Sequence, residues 1–303
     1  MGSSANTLLI IGFVWPEPST TAAGSRMMQL IRCFQDQQYD ITFASTAAKT
    51  EYSKDLAAIG IKAQKIVLND PSFDSFIQKC DPNMVLFDRF LTEEHFGWRV
   101  AEFVPDALRV LDTEDLHSLR QVREQLFKKN TPFTPEKWLQ SDVTKREIAA
   151  IYRCDLSLII STFEMELLLK MVKIDEKLLL HLPFQLDKIN DNRIASWPGF
   201  NKRKDFICIG NGKHAPNIDA VLWLKKEIWP LIHKALPLAR LYIYGSYLPE
   251  QLQQMHNPAN GFYVEGWVES VEDVMQQHRI NLAPLHFGAG IKGKLIDAMN
   301  NGT

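Results

Sequence analysis

The sequence lacks an excess of charge of either sign. It holds 34 lysines and arginines against 36 aspartates and glutamates, which gives a formal net charge of -2 at pH 7. Binding to a nucleic-acid backbone requires clustered positive charge. No nucleic-acid partner is therefore expected, although a local basic pocket is compatible with this balance.

Long apolar runs and paired cysteines are also missing. No stretch approaches the roughly 18 apolar residues of a membrane-spanning helix, and Met1–Thr7 lacks the positively charged start of a signal peptide. The scattered cysteines, with no histidine at ligand spacing, are Cys33, Cys80, Cys154 and Cys208. These absences indicate a reduced, cytoplasmic compartment in which the thiols are buried as small apolar groups.

Signatures of several enzyme classes are absent as well. The sequence contains no H-E-x-x-H, no G-x-S-x-G and no Asp-x-Asp, and its nearest approach to the last is Asp112-x-Glu114. These patterns belong to zinc peptidases and to serine hydrolases, and the last to metal-dependent sugar transferases. No bound metal is therefore expected.

A regular alternation of short apolar runs and amphipathic segments is present. The 303 residues correspond to about two domains of roughly 150 residues each. The alternation is typical of parallel βαβ units, and Gly24–Gln35 has the apolar spacing of a helix. The strands predicted for the first series are Leu8–Val14, Asp40–Ala44, Lys65–Leu68, Met84–Asp88, Leu108–Asp112, Leu156–Ile160 and Leu178–Leu182.

A polar stretch with a basic cluster interrupts this rhythm, and a second α/β series follows. We predict an N-terminal domain over residues 1–184, a linker over 185–204 and a C-terminal domain over 205–303. The second series begins with a strand at Asp205–Gly210 and a helix at Pro216–His233. The fold class is α/β, with two Rossmann-like domains facing each other across a cleft. Two serine caps, each with an acidic partner three residues on, are Ser161 with Glu164 and Ser270 with Asp273.

Ligands of open α/β sheets bind at the carboxyl ends of strands, which directs attention to three turns. The first, residues 15–26, is rich in small residues and leads into a helix; alone it is more typical of an ordinary loop. The second runs from Asp112 to Arg120 and contains His117. It is compatible with metal ligands, with a solvated acidic helix cap, or with a histidine that contacts a substrate hydroxyl.

The third turn, Leu285–Met299, carries the strongest signal. Glycines stand at 288, 290 and 293, and Lys292 and Lys294 stand at the start of the following helix. Positive charge is unfavourable at a helix N-terminus, so the lysines are best explained by a bound phosphate. Two exposed lysines on a surface helix are the simpler alternative. The segment is not a Walker loop, because Leu295 follows Lys294.

Several segments resemble, in order and spacing, bacterial GT-B glycosyltransferases of the retaining group 1 type, also called glycosyltransferase family four. They include "PEPSTTAAGSRMMQLI", "LRVLDTEDLHSLR", "FICIGNGKHAPNIDAVLWLKKEIWP" and, most specifically, "INLAPLHFGAGIKGKLIDAMNNGT". The resemblance implies a hexosyltransferase of polysaccharide biosynthesis that needs no cofactor. Its substrates would be a nucleoside-diphosphate sugar donor, held by the C-terminal domain, and a carbohydrate or lipid-linked acceptor. Peripheral contact with a membrane is compatible with this function.

The resemblance also implies roles for particular residues. Lys292 and Lys294 would face the donor diphosphate, and His117 would contact the donor sugar. Asp297 would hold the ribose hydroxyls and Trp267 would lie beside the nucleobase. The further donor-binding residues implied are Gly24, Phe287, Gly288 and Gly290.

The sequence departs from the family pattern in three places. The first glutamate of the family's Glu-x7-Glu pair falls on Ala289, and the second is Asp297. Asn211 and Lys213 stand where the family has arginine and lysine. Gly302-Thr303 stands where the family continues with a further strand, so an incomplete second domain is expected.

Two other functions fit the same sequence. One is a truncated, catalytically inactive GT-B relative that binds a nucleotide or a protein partner. The other is a different GT-B enzyme, such as a nucleotide-sugar epimerase.

Overall fold

The computed structural model describes residues 6–186 and 188–303, so the first five residues and one position of the predicted linker lie outside the described residues. The chain forms two compact units. Unit 1 comprises the residues up to Pro18 together with Ala23–Gln185 and Ala289–Ile291. Unit 2 comprises Ser19–Ala22, Leu186–Gly288 and Lys292–Thr303.

Unit 1 is built on a parallel sheet of seven described strands. In spatial order the strands are β3-β2-β1-β4-β5-β6-β7. Their bounds are β1 Thr7–Gly12, β2 Asp40–Ser45, β3 Lys62–Lys65, β4 Met84–Asp88, β5 Leu108–Asp112, β6 Leu156–Ile159 and β7 Leu179–His181. The order reverses direction at β1 and β4, which is the topological switch point of this sheet.

Helices cover both faces of this sheet. They are α1 Ala22–Asp36, α2 Ser72–Cys80, α3 Phe90–Phe103, α4 His117–Lys128, α5 Pro135–Gln140, α6 Asp142–Arg153 and α7 Thr162–Glu166. A π-helical turn, Leu167–Val172, follows α7, and single 3-10 turns lie at Ala57–Ile59 and Glu176–Leu178. Alternate residues of β1 point to opposite faces: Leu8 and Ile10 pack in the core on the side of α1, and Leu9 and Ile11 pack in the core on the other side.

The third strand lies three residues before its predicted place. The prediction of Lys65–Leu68 followed the apolar run, whereas β3 is Lys62–Lys65 and all four of its residues are exposed. Ile66, directly after the strand, is the buried residue. The prediction was wrong because β3 is an edge strand, and an edge strand on the surface need not carry an apolar run.

Unit 2 has a parallel sheet of four described strands in the order β10-β9-β8-β11. The strands are β8 Lys204–Ile209, β9 Leu241–Tyr244, β10 Phe262–Gly266 and β11 His278–Asn281. The helices are α8 Asp191–Ser196, α9 Ala215–Trp223, α10 Trp229–Ala235, α11 Glu250–Gln253, α12 Val271–Gln277 and α13 Gly293–Asn300, and Pro258–Asn260 is a 3-10 turn. The order reverses direction at β8 and β11, so the switch point of this sheet lies at their carboxyl ends.

The long helix predicted over Pro216–His233 is interrupted in the middle. Helices α9 and α10 are joined by a π-helical turn, Leu224–Ile228, and Pro230 stands in the first turn of α10. Proline has no N–H to donate to the preceding turn. The wider π turn accommodates this missing hydrogen bond.

The serine caps are present as predicted, whereas the cysteines differ in burial. Both serine caps are confirmed: Ser161 accepts from Glu164 N–H and Ser270 accepts from Asp273 N–H. Burial of the thiols is confirmed for Cys154 and Cys208 but is wrong for Cys33, which is exposed. None of the described helices combines the length and apolar character needed to cross a bilayer.

Candidate functional site

The switch point of unit 2 holds a small cleft. Strand β8 leads into Gly210 and Gly212, and α13 begins after the loop that follows β11. Apolar side chains make up most of the lining of the cleft, and Gly210, Gly212, Asn217 and Lys294 complete one side of it. Ligands of open α/β sheets bind at such places.

Lys294 lines this cleft, and its ammonium group is hydrogen-bonded to the neighbouring helix α9. Its Nζ donates to Asn217 Oδ1 at 2.8 Å, and Asn217 lies in the first turn of α9. Burial lowers the pKa of Lys294, because desolvation disfavours the charged form. A buried ammonium beside a helix N-terminus is suited to an anion, which restores the charge balance that burial disturbs.

Close backbone contacts explain the glycines around the cleft. A Cβ at Gly212 would overlap the backbone of Tyr247 and Leu248, and a Cβ at Gly245 would overlap Gly210 O. Gly212 N–H donates to Ser246 O at 2.8 Å. The turns after β8 and β9 therefore touch through their backbones. Asn211 and Lys213, at which the sequence departs from the family pattern, lie in this region, but the two glycines beside them shape the turn.

Lys292 and Gly288 are brought together in the glycine-rich segment. Lys292 is the N-cap of α13, and its Nζ lies so near Gly288 that a Cβ there would be 2.7 Å away from it. The two predicted lysines thus have different neighbours: Lys292 lies over Gly288 and Lys294 contacts Asn217.

The remaining predicted residues of unit 2 are distributed around the carboxyl edge of its sheet. Phe287 is buried and Trp267 is 40% exposed in the loop after β10. Asp297 lies on α13, where burial and the nearby Glu272 raise its pKa to about 6. A carboxyl with a raised pKa in a partly buried place is a candidate for ligand contact.

In unit 1, charged residues lie at the carboxyl ends of β4 and β5. Asp88, the last residue of β4, is buried, and its Oδ2 accepts from Phe13 N–H at 2.9 Å. Asp112, the last residue of β5, is paired with Arg26 through hydrogen bonds of 2.8–3.1 Å. Both strands end beside the switch point between β1 and β4, so this charged cluster lies at the position expected for a ligand.

Two residues of this cluster have a left-handed backbone. Arg89 has φ 72° and Glu114 has φ 62°, values that residues other than glycine seldom adopt. Burial opposes the charge of Arg89, but Asp88, Glu114, Asp115 and Asp112 raise its pKa. Strained backbone of this kind concentrates at functional sites, and sequence patterns carry no signal for it.

His117 is the first residue of α4 and is held by its backbone. Its N–H donates to Glu147 Oε1 at 2.9 Å. Its ring Nδ1 is buried and has no hydrogen-bond partner within the described part of the chain. Burial and then the charge of Arg120 lower its pKa to about 4. The imidazole is therefore neutral near pH 7, and its Nδ1 is enclosed by the protein.

The amide of Gly290 is bonded within unit 1. Gly290 has φ 63°, and its N–H donates to Glu164 Oε1 at 2.8 Å. A carboxylate of the chain thus accepts the hydrogen bond of this amide, and the donor-binding role of Gly290 stays a prediction. Gly24 lies in the first turn of α1, where a Cβ would overlap the backbone of Glu17.

Two carboxylates of the acidic turn are engaged in ion pairs. Within residues 6–186 and 188–303, no group of three histidine, cysteine, aspartate or glutamate side chains could hold a metal ion. Asp112 is engaged with Arg26, and Asp115 accepts from Arg120 at 2.8 Å.

Comparison with known proteins finds a family match over the sheet of unit 2. Residues 203–303 match the family described as "Glycosyl transferases group 1". The match covers β8 to α13, and with them Lys292, Lys294 and Asp297. No match was found among curated proteins.

Solved structures extend the likeness to both units. The chain is similar to a sucrose-phosphate synthase from Thermosynechococcus elongatus, with TM-score 0.67, 14% identity, and coverage of 98% of this chain and 80% of that chain. For a glycosyltransferase from Rickettsia africae the TM-score is 0.63 and the identity 12%, with coverage of 98% of this chain and 77% of that chain. For WaaG, a glycosyltransferase involved in lipopolysaccharide biosynthesis, the TM-score is 0.61 and the identity 9%, with coverage of 97% of this chain and 79% of that chain. At these identities the likeness shows the fold, which is GT-B, and confirms the fold class expected from the sequence.

Two glutamates of unit 1 were missed as functional candidates. Glu147 on α6 accepts from the N–H groups of His117 and Ser118, each at 2.9 Å. Glu164 was interpreted only as the partner in a serine cap, yet its carboxylate also accepts from Leu116 N–H at 2.9 Å. Both contacts span about 30 to 50 positions of sequence, a separation over which local patterns carry no information.

Proposed function

We propose that the protein is a retaining glycosyltransferase that moves a hexose from a nucleoside-diphosphate sugar to a carbohydrate or lipid-linked acceptor without a metal ion. The observation that carries the proposal is the buried ammonium of Lys294 beside the glycine turn of β8 and the N-terminus of α9. It lies within the segment that matches the group 1 glycosyl transferases. An anion is the ligand that this combination of charges favours.

The sugar-transfer reaction requires stabilisation of negative charge more than it requires a general acid or a general base. The bond between the sugar C1 and the diphosphate oxygen breaks, a bond from C1 to the acceptor oxygen forms, and the acceptor proton passes to an oxygen of the departing diphosphate. Negative charge grows on the departing diphosphate. Lys292 and Lys294 would stabilise that charge, an effect for which removal of one donor costs about 10²–10³ in kcat.

The other predicted residues take supporting roles in this proposal. Asp297 would accept from the ribose hydroxyls and Trp267 would lie beside the base. In unit 1, His117 would orient a sugar hydroxyl through its ring. Its pKa of about 4 supports a hydrogen-bonding role of the neutral imidazole near pH 7.

Nucleotide binding is the first test. UDP-glucose, UDP-N-acetylglucosamine, GDP-mannose and ADP-glucose are screened for thermal stabilisation, since a ligand of the native state raises its apparent stability. Calorimetry with the best of them then compares the wild type with Lys294→Met and Lys292→Met. We expect each variant to bind about 10- to 100-fold more weakly. Lys226→Met, an exposed position of the same unit, is the matched control and is expected to bind normally.

Transfer is the second test. With the nucleotide sugar that binds, NMR of the product should show the anomeric configuration of the donor, and excess EDTA should leave the rate unchanged. An inverted product or loss of activity in EDTA contradicts retention or metal independence. Binding without transfer to any carbohydrate acceptor would favour a nucleotide-binding module instead.

A further inference from the structure

One oxygen atom joins two separate segments of unit 1. Glu164 Oε1 accepts from Leu116 N–H at 2.9 Å and from Gly290 N–H at 2.8 Å. Glu164 is fully buried on the short helix α7. The partners lie 48 and 126 positions away in the sequence, so this carboxylate links parts of the chain that are not neighbours along it.

Both partners belong to segments that carry predicted site residues. Leu116 is the N-cap of α4, whose first residue is His117. Gly290 is the middle residue of the segment Ala289–Ile291, which directly precedes Lys292. Its φ of 63° is a left-handed conformation, so the direction of its N–H depends on a backbone that glycine adopts readily. A displacement of Glu164 would therefore affect both segments.

The surroundings of Glu164 supply what a buried carboxylate needs. Two backbone N–H groups donate to it, and such charge-assisted hydrogen bonds are among the stronger ones in proteins. Arg123 of α4 is near enough for the Glu164 charge to act on its pKa: burial lowers that pKa and the carboxylate opposes the effect. The charge of Glu164 is thus balanced from the same helix whose N-cap it holds.

Glu147 provides an internal comparison. Its two oxygens accept from His117 N–H and Ser118 N–H, each at 2.9 Å. It therefore occupies the next amides of the same helix end. The hydrogen bonds of Glu147 in the described residues stay at α4, whereas those of Glu164 also include Gly290.

We propose that Glu164 is a positioning residue that couples the His117 end of α4 to the glycine segment Ala289–Ile291. It acts through the two backbone amides and not by touching substrate. The catalytic consequence rests on the proposed function, because it assumes that His117 and the glycine segment serve sugar transfer. The coupling itself does not rest on that function.

Amide hydrogen exchange tests the coupling without any substrate. Peptides that cover residues 113–120 and 286–294 are followed by mass spectrometry in the full-length chain. In Glu164→Ala we expect exchange about tenfold faster in both peptides, since each loses a hydrogen bond. Glu164→Gln keeps an acceptor oxygen without the charge and should show a smaller increase in both. Glu166→Ala, on the same helix but exposed and paired with Lys170, should show none.

Two outcomes would overturn the coupling. If exchange of residues 286–294 is unchanged in Glu164→Ala, Glu164 acts only as a cap of α4. Glu147→Ala is expected to show that pattern, with faster exchange in residues 113–120 alone. A uniform increase over all of unit 1 in both Glu164 variants would indicate global destabilisation instead of local coupling.

Kinetics test the consequence for transfer. Positioning errors of about 1 Å can cost on the order of 100-fold in rate. We expect Glu164→Gln to lower kcat about 10- to 100-fold with little change in the KM for the nucleotide sugar, and Glu166→Gln to be normal. An unchanged kcat contradicts the catalytic role. If the wild type transfers no sugar at all, the proposed function fails, and the exchange experiment still decides the coupling.

Discussion

Arg26 and Asp112 form a fully buried ion pair in unit 1. The guanidinium donates to both carboxylate oxygens at 2.8–3.1 Å, and its remaining nitrogen donates to Leu182 O at 2.8 Å. Neither side chain exposes more than 2% of its surface. The pair joins the first helix to the carboxyl end of β5 and to the residue that follows β7, and so fixes the strand ends at which the unit 1 cluster is assembled.

Loss of one partner of this pair should be costly. Asp112→Ala leaves the Arg26 charge buried without its partner, and we expect unfolding free energy to fall by about 3–5 kcal/mol. Urea denaturation measures the change. Asp40→Ala breaks the exposed Lys62–Asp40 pair and should cost less than about 1 kcal/mol. If the double variant Arg26→Met with Asp112→Leu is as unstable as Asp112→Ala, the unpaired charge is not the cause.

Asp297 should make the protein less stable as the pH rises from about 4 to about 6. Its pKa is raised from 3.8 to about 6 by burial and by Glu272, so the folded state retains a proton that the unfolded chain has released. Above pH 6 the resulting penalty is on the order of 3 kcal/mol. Asp297→Asn should therefore be more stable than the wild type at pH 7 and equal to it near pH 3.5, as measured by urea denaturation.

Glu269→Gln, an exposed position near α12, is the control for Asp297 and should not reproduce this gain. Glu272→Gln should move the transition to lower pH, because it removes the neighbouring negative charge. A loss of stability in Asp297→Asn at pH 7 would mean that the carboxylate makes a stabilising contact.

His117 should have the opposite effect in an overlapping range. Burial and Arg120 lower its pKa from 6.5 to about 4, so the unfolded chain binds the proton first and stability falls as the pH drops from 6.5 to 4. The loss below pH 4 is on the order of 3 kcal/mol. Because Asp297 acts in the other direction, the effect is read as the difference between the wild type and His117→Gln in urea denaturation.

NMR titration of the His117 ring provides an independent check on this interpretation. The ring signals should stay those of neutral imidazole down to about pH 4.5, given the pKa of about 4. Titration at pH 6.5 would contradict the burial argument. Gln125→Ala, an exposed position on α4, controls for the loss of a polar side chain from this helix.

Gly290→Ala should cost more stability than Gly60→Ala. Both glycines have positive φ, 63° and 78°, and a left-handed alanine costs about 1–2 kcal/mol in either place. A Cβ at Gly60 meets nothing within 4 Å, whereas one at Gly290 lies 2.9 Å from Asp115 Cβ. Overpacking adds about 1–3 kcal/mol. Thermal unfolding of the two variants measures the difference, and equal losses would show that the segment shifts freely.

The sequence determined the alternation of strands and helices because burial on both faces of a parallel sheet demands continuous apolar runs. Strands β4 and β5 have the bounds that their runs predict, Met84–Asp88 and Leu108–Asp112. The serine caps could also be predicted from the sequence, since a capping side chain and the amide that it accepts from lie three residues apart. Where that demand is absent, as at the exposed edge strand Lys62–Lys65, the prediction was wrong.

Only the tertiary structure decided how the candidate residues are held. Three sets of hydrogen bonds span 48 to 126 positions of sequence: Lys294 with Asn217, Arg26 with Asp112, and Glu164 with two distant amides. Hydrogen bonds of that kind depend on which strands lie side by side and on where each ends. Local propensity and periodicity do not specify contacts between residues that are far apart in sequence. The residues that position the site could therefore be identified only from the folded structure.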